Sequence, residues 1–472
     1  MKVAIIHYHL KTGGVTSVIR SQAEALVRSG HQVLIITGQA PAVPWPVPVA
    51  TVPEIAYDSV RNSPAVPEKA AARIKAALAD TWPEGCDLVH VHNPTLAKNK
   101  AFLQVLKLLL QWGQPLFLQI HDFAEDGRPD VFFPEHYPAD CHYGVINSRD
   151  YRIMLAAGLR PEGLHLVPNA VTPLPADGGK PPIGHPYLVY PVRAIRRKNI
   201  GEALLISAFL PPETKLAITQ PPNSPADMVF YRQWLDFASA WRLPVIFEAG
   251  KKYDFGALLA GCSLVLTTSI TEGFGFVYLE PWTISKTVWG RRLDEICSDF
   301  SSRGIDLDHM YAGLQVPAEL FDTAGFRRRR QDAFISALDS FGLGRTPFDR
   351  HDDFQTWPED GTIDFGLLDE KAQQEVIVSV KSMPDYRRRL LEANPFLGMQ
   401  ADHRLPEAKI AANKEAVIRH YVDMDLAAVL SDIYRKVLEN PVSQRIDKQI
   451  LLKSFLVPEN FSLLKWSRAH GL

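Results

Sequence analysis

The chain has 472 residues, 46% of them apolar and 22% charged, the make-up of a soluble globular protein too long for one ordinary core. Two domains are therefore expected, and disorder or a coiled coil is disfavoured. A formal charge of -2 gives no electrostatic reason to expect a nucleic-acid partner. Cys86, Cys141, Cys262 and Cys297 lie far apart without a C-x-x-C pair, which argues against a zinc knuckle or a disulfide framework and fits a reducing cytoplasm.

In chain order, the opening "MKVAIIHYHL" has one lysine and too short an apolar run for a secretory signal, so it reads as a buried strand. No segment approaches the length that spans a bilayer, and any membrane contact is at most peripheral. The runs "KVAIIHYH", "HQVLIITG", "DLVHVHN", "PLFLQIHD" and "YGVINS" are strand candidates separated by helical patterns, as in a parallel sheet with crossover helices. Between the first two, "GVTSVIRSQAEALVRSGH" carries helical periodicity and ends at a glycine, completing one βαβ unit. The apolar "AFLQVLKLLLQWG" is expected to pack on the sheet.

Proline and glycine crowd residues Thr172 to Pro186, the best linker in the chain. Alternation then restarts with "YLVYPVR", a helix in "NIGEALLISAFL", and the runs "KLAITQ", "PVIFEAG" and "SLVLTTS". From about 298 to 362 the pattern degrades into charged, Gly- and Pro-punctuated pieces containing the basic run Arg327 to Arg330, expected to be exposed. A helical block follows, clearest in "EAKIAANKEAVIRHYVDMDLAAVLSDIYRKVL", and the terminal "QILLKSFLVPENFSLLKW" is expected to dock on the body.

Chemistry concentrates at "ITEGFGFVYLEPW", directly after a strand. Ligands of doubly wound sheets collect at the carboxyl ends of strands, where helix N-termini offer amide groups to anions. Gly273 and Gly275 allow the backbone close to a phosphate or sugar, having no Cβ in the way. With a helix from about Phe274, Glu280 lies nearly two turns in and Glu272 in the loop before it, so the two carboxylates address different parts of one elongated ligand.

The segment from Ser269 to Glu280 resembles the E-x7-E signature of retaining glycosyltransferases of GT-B architecture, especially glycosyltransferase family 4. "YLVYPVR" with "AIRRKNI" resembles the family's Arg-x4-Lys-Asn element, which implies that Arg193 and Lys198 neutralise a donor diphosphate. "HYHLKTGGVTSVI" resembles its first glycine loop, with Gly13 and Gly14 approaching the donor. "QIHD" places His121 beside the transferred sugar, and "LVPNAV" looks like the usual Val-Pro-Asn-Gly-Val. The resemblance further implies that Glu280 binds the ribose, that Glu272 meets the sugar hydroxyls, and that the stretch Gly273, Phe274, Gly275 and Phe276 holds sugar and phosphate. Contacts around Gly250 to Tyr253 would help to read the base. Val192 stands where the family has glycine, and Pro281-Trp282-Thr283 replaces its small residues, which bears on donor identity.

The implied fold is α/β, of GT-B architecture, with two Rossmann-like doubly wound domains facing across a cleft and C-terminal helices. The expected division is 1–175 on the acceptor side, 185–440 for the nucleotide-sugar with an insertion near 298–362, and a tail over 441–472. The implied activity is retaining transfer of a hexose from a nucleotide-diphosphate sugar to a small or oligosaccharide hydroxyl acceptor, with no cofactor or metal. His90 and His92, an H-x-H pair on one strand face, are the only motif suggestive of a metal, and lining the cleft is the expected role. Arg196 and Arg197 read as a solvated helix start. A glycoside phosphorylase of the same fold and a non-catalytic nucleotide-sugar-binding protein are the alternatives.

Overall fold

A computed structural model describes residues 1–175, 181–343, 361–398 and 405–467. The chain forms two units, Met1–Ala170 with Asp423–Leu456, and Val171–Val422 with Val457–Leu472. The expected second domain and tail therefore divide differently: the chain leaves the second unit at Asp423 and returns to it at Val457.

Unit 1 is built on seven parallel strands: β1 (Lys2–His7), β2 (Gln32–Thr37), β3 (Val49–Thr51), β4 (Leu88–His92), β5 (Leu116–Ile120), β6 (His142–Val145) and β7 (Leu164–Leu166). Their order is β3-β2-β1-β4-β5-β6-β7. The central strands read as continuous apolar runs because both faces are covered. Alternate side chains of β1 serve opposite cores. Ala4 and Ile6 face α2 (Pro67–Thr81) and α3 (Phe102–Gln111), whereas Val3 and Ile5 face α1 (Gly14–Arg28). The apolar face of α3 is thus buried against the sheet, as its periodicity predicts. A fourth helix, α4 (Ser148–Ala156), starts at the Asn147 cap.

The second core is completed by the C-terminal helix Leu426–Glu439, which buries Leu430, Ile433 and Tyr434. Each such side chain is worth about 1.5–3 kcal/mol, so this stretch belongs energetically to unit 1. The single long helix expected here is broken. It runs from Glu407 to Val417, passes through a π-turn over Ile418–Val422 and restarts at the Asp425 cap.

Unit 2 carries five parallel strands, β8 (Tyr187–Arg193), β9 (Lys215–Gln220), β10 (Val245–Ile246), β11 (Leu264–Thr267) and β12 (Val288–Gly290), in the order β10-β9-β8-β11-β12. Helix α5 (Ile200–Ser207) is buried at every position, and α6 (Pro225–Ala240) presents Phe230, Tyr231 and Trp234 to the core. A small antiparallel pair, Gln315–Pro317 with Thr362–Asp364, frames the insertion. Residues 344–360 of that insertion and 176–180 of the linker lie outside the described residues.

Both sheets reverse winding at their first strand, between β1 and β4 in unit 1 and between β8 and β11 in unit 2. Those are the points where doubly wound sheets bind ligands, just beyond the strand carboxyl ends.

Candidate active site

In unit 2 the loop after β8 and the loop after β11 meet at this point. Asn199, in the left-handed conformation at φ 51°, ends the turn and starts α5. Tyr190 Oη donates to the Lys198 carbonyl at 2.7 Å, and Thr268 Oγ1 donates to the same carbonyl at 3.1 Å and to that of Asn199 at 3.0 Å. The Ile270 amide donates to the Arg197 carbonyl at 3.1 Å. Lys198 is therefore fixed through its backbone before its side chain does anything. Its ammonium forms an ion pair with Glu272. Burial would push the Glu272 carboxyl up, but Lys198 and Arg197 outweigh it and hold it below the ordinary range.

Two neighbouring groups stand differently. The Arg193 guanidinium, at the end of β8, and the Glu280 carboxylate have no hydrogen bond or ion pair among the described residues, although both are half-buried. Burial alone pushes Glu280 up to about 7. Half-buried charges without partners are costly in a finished core and ordinary where a ligand completes them.

The Gly-x-Gly turn is not the start of a two-turn helix. Gly275 sits at φ 91° and would place a Cβ 2.8 Å from Tyr278, so it needs glycine. A 3-10 turn over Phe276–Tyr278 follows, and the helix proper begins only at Glu280 with Pro281 behind it, ending by Thr283. Trp282, fully buried, fills the space beneath. Glu280 thus opens a short helix, and Glu272 stays in the preceding loop as expected. The Phe274 ring is buried against Phe300 and Tyr421, so only its backbone is left for a ligand, whereas Phe276 and Gly273 are half-buried. Gly250 lies in the short helix Ala249–Lys252, where a Cβ would come 3.1 Å from the Thr219 carbonyl; its glycine is accounted for by packing against β9.

Beneath the Lys198 turn lies a buried network that sequence reasoning missed. Arg291 donates to both oxygens of Asp364, at 2.6 and 2.7 Å, and pairs with Glu202 at 3.0 Å through Nε. Glu202 also accepts from Tyr311 Oη at 2.7 Å and from Asn199 Nδ2 at 2.7 Å, and Gln373 donates to Asn199 at 2.8 Å. Burial opposes the Arg291 charge, but Asp364 and Glu202 hold the guanidinium well above its ordinary range. Tyr311 belongs to the insertion near 298–362 and Asp364 follows it directly, so this segment braces the turn. Within the basic run Arg328 is exposed as expected, but its neighbours are held. Arg329 pairs with Asp369 at 3.0 Å, and Arg330 donates to the Pro458 and Phe461 carbonyls at 2.7 and 3.1 Å. Nor is Arg196 solvated: it pairs with Glu370 at 2.6 and 2.8 Å and stacks on Phe230 at 3.9 Å. Arg197 reaches the Thr271 carbonyl at 3.4 Å.

In unit 1, Gly13 caps α1 and Gly14 begins it, with no acidic residue in the first turn and nothing within 4 Å of a Cβ built on Gly14. His121, at the end of β5, is held by its amide on Asn93 Oδ1 at 2.8 Å and by its ring against His92 at 2.8 Å. Burial pushes His121 down to about 4 and His7 and His90 to about 3, with His92 also well below its ordinary value. These rings are neutral hydrogen-bonding groups at neutral pH. His90 bonds to Gln119 at 2.9 Å and Tyr434 at 2.8 Å, so both of its ring nitrogens are engaged within the fold, and among the described residues there is no cluster of three or more His, Cys, Asp or Glu that could hold a metal ion.

The model described as Glycosyltransferase Family 4 matches residues 12–173. A curated relative, Mannosylglucosyl-3-phosphoglycerate synthase of Petrotoga mobilis, is 27% identical over 338 residues, which are 63% of this chain and 66% of that protein. The alignment thus falls just short of two thirds of the relative's length. A HepE protein of Anabaena solved with UDP and glucose superposes with a TM-score of 0.54 at 13% identity, covering 92% of this chain and 99% of that one. A glycosyltransferase of Rickettsia africae gives 0.52 at 11% identity over 93% and 98% of the two chains. A sucrose-phosphate synthase of Thermosynechococcus elongatus gives 0.50 at 15% identity over 92% and 98%. With two Rossmann-like parallel sheets and these likenesses, the chain has the α/β GT-B fold and resembles glycosyltransferase family 4.

Proposed function

We propose that the protein transfers a hexose from a nucleotide-diphosphate sugar to a hydroxyl acceptor with retention, forming an α-glycosidic bond. The observation that carries this reading is the set of groups at the ends of β8 and β11: Arg193 and Glu280, unpartnered among the described residues, and the Lys198–Glu272 pair. Arg193 and Lys198 take the diphosphate charge that grows as the bond to the anomeric carbon breaks, in place of a metal ion. When the diphosphate competes for Lys198, Glu272 is released to accept hydrogen bonds from sugar hydroxyls. Glu280, at the helix start, receives the ribose hydroxyls.

Retention follows from front-face attack. The anomeric carbon's bond to the diphosphate oxygen breaks, its bond to the acceptor oxygen forms on the same face, and the acceptor's proton passes to the departing diphosphate. His121, neutral, contributes a hydrogen bond to the sugar rather than a charge. The Petrotoga relative is named for a product carrying a 3-phosphoglycerate end, which favours an acceptor that bears negative charge.

A thermal-shift panel of UDP-, GDP- and ADP-sugars tests the donor: at a hundred times its dissociation constant the right one stabilises by about 2.7 kcal/mol. Transfer in the presence of a chelator, with an α-linked product by NMR, is the expected sequel. A β-linked product, or a requirement for a divalent ion, would overturn the corresponding part of the reading.

A further inference from the structure

Unit 1 holds cations at its own winding reversal that the donor chemistry does not use. Tyr57 follows β3, His9 follows β1, Lys98 follows β4, and Arg128 follows β5. His9 and Lys98 share the half-buried Tyr57 ring: the His9 ring meets it edge-on at 5.0 Å, and Lys98 Nζ lies 5.7 Å from its centroid, while Arg128 stands near enough to interact electrostatically with both Tyr57 and Lys98. The Lys98 ammonium donates no hydrogen bond and forms no ion pair among the described residues, though it is half-buried. Burial and the nearby Arg128 lower its pKa, and Asp122 and Asp130 act against that without pairing with it. The Lys11 amide donates to His9 Nδ1 at 3.4 Å, which leaves the proton of a neutral His9 on Nε2 as a donor. Arg128 is held at 2.8 Å by Asp122, so its planar fork is oriented in advance. Lys11, exposed on the same loop, adds a further positive charge.

An unpaired ammonium, an oriented guanidinium and an imidazole donor around one aromatic face make a site for an anion with several oxygens. We propose that His9, Lys98 and Arg128, gathered around Tyr57, bind a phosphomonoester carried by the acceptor. This rests on the transferase reading above, which it deepens by naming the acceptor's class and the residues that recognise it. The acceptor hydroxyl and its phosphate would then be held by unit 1, leaving unit 2 to the donor.

The test uses the full chain and calorimetric titration with glycerol 3-phosphate, glycerol and a panel of nucleoside diphosphates. The expected result is saturable binding of glycerol 3-phosphate and none of glycerol. Lys98→Ala should weaken the phosphomonoester at least tenfold, Lys98→Arg should restore most of it, and neither should alter nucleoside diphosphate binding. Absence of saturable glycerol 3-phosphate binding, or equal affinity in Lys98→Ala, overturns the proposal. So does a Lys98→Ala effect on the nucleoside diphosphates alone, which would assign the cluster to the donor. Failure of the transferase reading would look different: no nucleoside diphosphate binds, or Lys198→Ala leaves their binding unchanged.

Discussion

Unit 1 and unit 2 wind their first strands alike but bury different titratable groups beside them. At the ends of β1, β4 and β5 the buried groups are histidines, four of them kept neutral by burial. Around the ends of β8, β11 and β12 they are ions, paired as Lys198–Glu272 and as Glu202–Arg291–Asp364, or, among the described residues, left open as Arg193 and Glu280. The difference concerns the buried layer beside each sheet, since unit 1 carries its half-buried cations Lys98 and Arg128 further out on the loops after β4 and β5. Neutral rings suit hydroxyls and moving protons, whereas fixed cations suit a ligand whose charge is large and grows during the reaction.

Acidification should separate the halves most sharply. A histidine whose folded pKa lies below its unfolded value of 6.5 contributes stability that is present above about 6.5 and lost as pH falls towards 3 to 4. Each of His7, His90 and His121 costs about 1.2 kcal/mol between pH 6 and 5, so the three together cost on the order of 4 kcal/mol, and His92 acts in the same direction. Hydrogen exchange should show β1, β4 and β5 opening before β8 and β11; simultaneous opening would break the contrast.

Arg291→Met should destabilise unit 2 by about 3–5 kcal/mol, because Glu202 is left buried, and Asp364 half-buried, without a cation. Urea unfolding measures it, and a loss below about 1 kcal/mol would mean that the network does not brace the Lys198 turn. Lys198→Ala should lower kcat by about 10²–10³-fold with the fold intact, as expected when a group stabilising transition-state charge is removed. Unchanged turnover would refute the assigned role.

Glu280→Gln should have the smallest effect and the opposite sign. A carboxyl raised to about 7 holds its proton better folded than unfolded, so stability is full below its unfolded value and declines as pH rises from about 4.5 to 7. The variant should flatten that slope and stabilise the ligand-free protein at pH 8, by on the order of 1–3 kcal/mol, while weakening donor binding. A variant no more stable than the wild type at pH 8 would show that Glu280 has a partner in solution.

Most of the scaffold was legible in the sequence. Strands buried on both faces declare themselves as unbroken apolar runs, which is why β1, β2, β4, β5, β8, β9 and β11 match the reading within a residue or two. Strands β3 and β7 were not legible, because three residues carry no periodicity. The residues Lys198 and Glu272, 74 positions apart, are brought together as an ion pair. The helix expected from Phe274 failed for a local reason, since Gly275 at positive φ and Pro281 behind Glu280 leave room for one turn only.

The amino-acid order alone thus settled the alternation of strand and helix and named a candidate donor site, because both depend on neighbours within a few positions. Tertiary structure alone decided that residues 423–456 rejoin unit 1, and that the basic run clamps the chain near Pro458. Pairing of Arg291 with Glu202 and Asp364 is of the same kind, with partners 89 and 73 residues away. Burial and ion pairing at such separations are set by which elements share a core, and no short window of sequence contains that information.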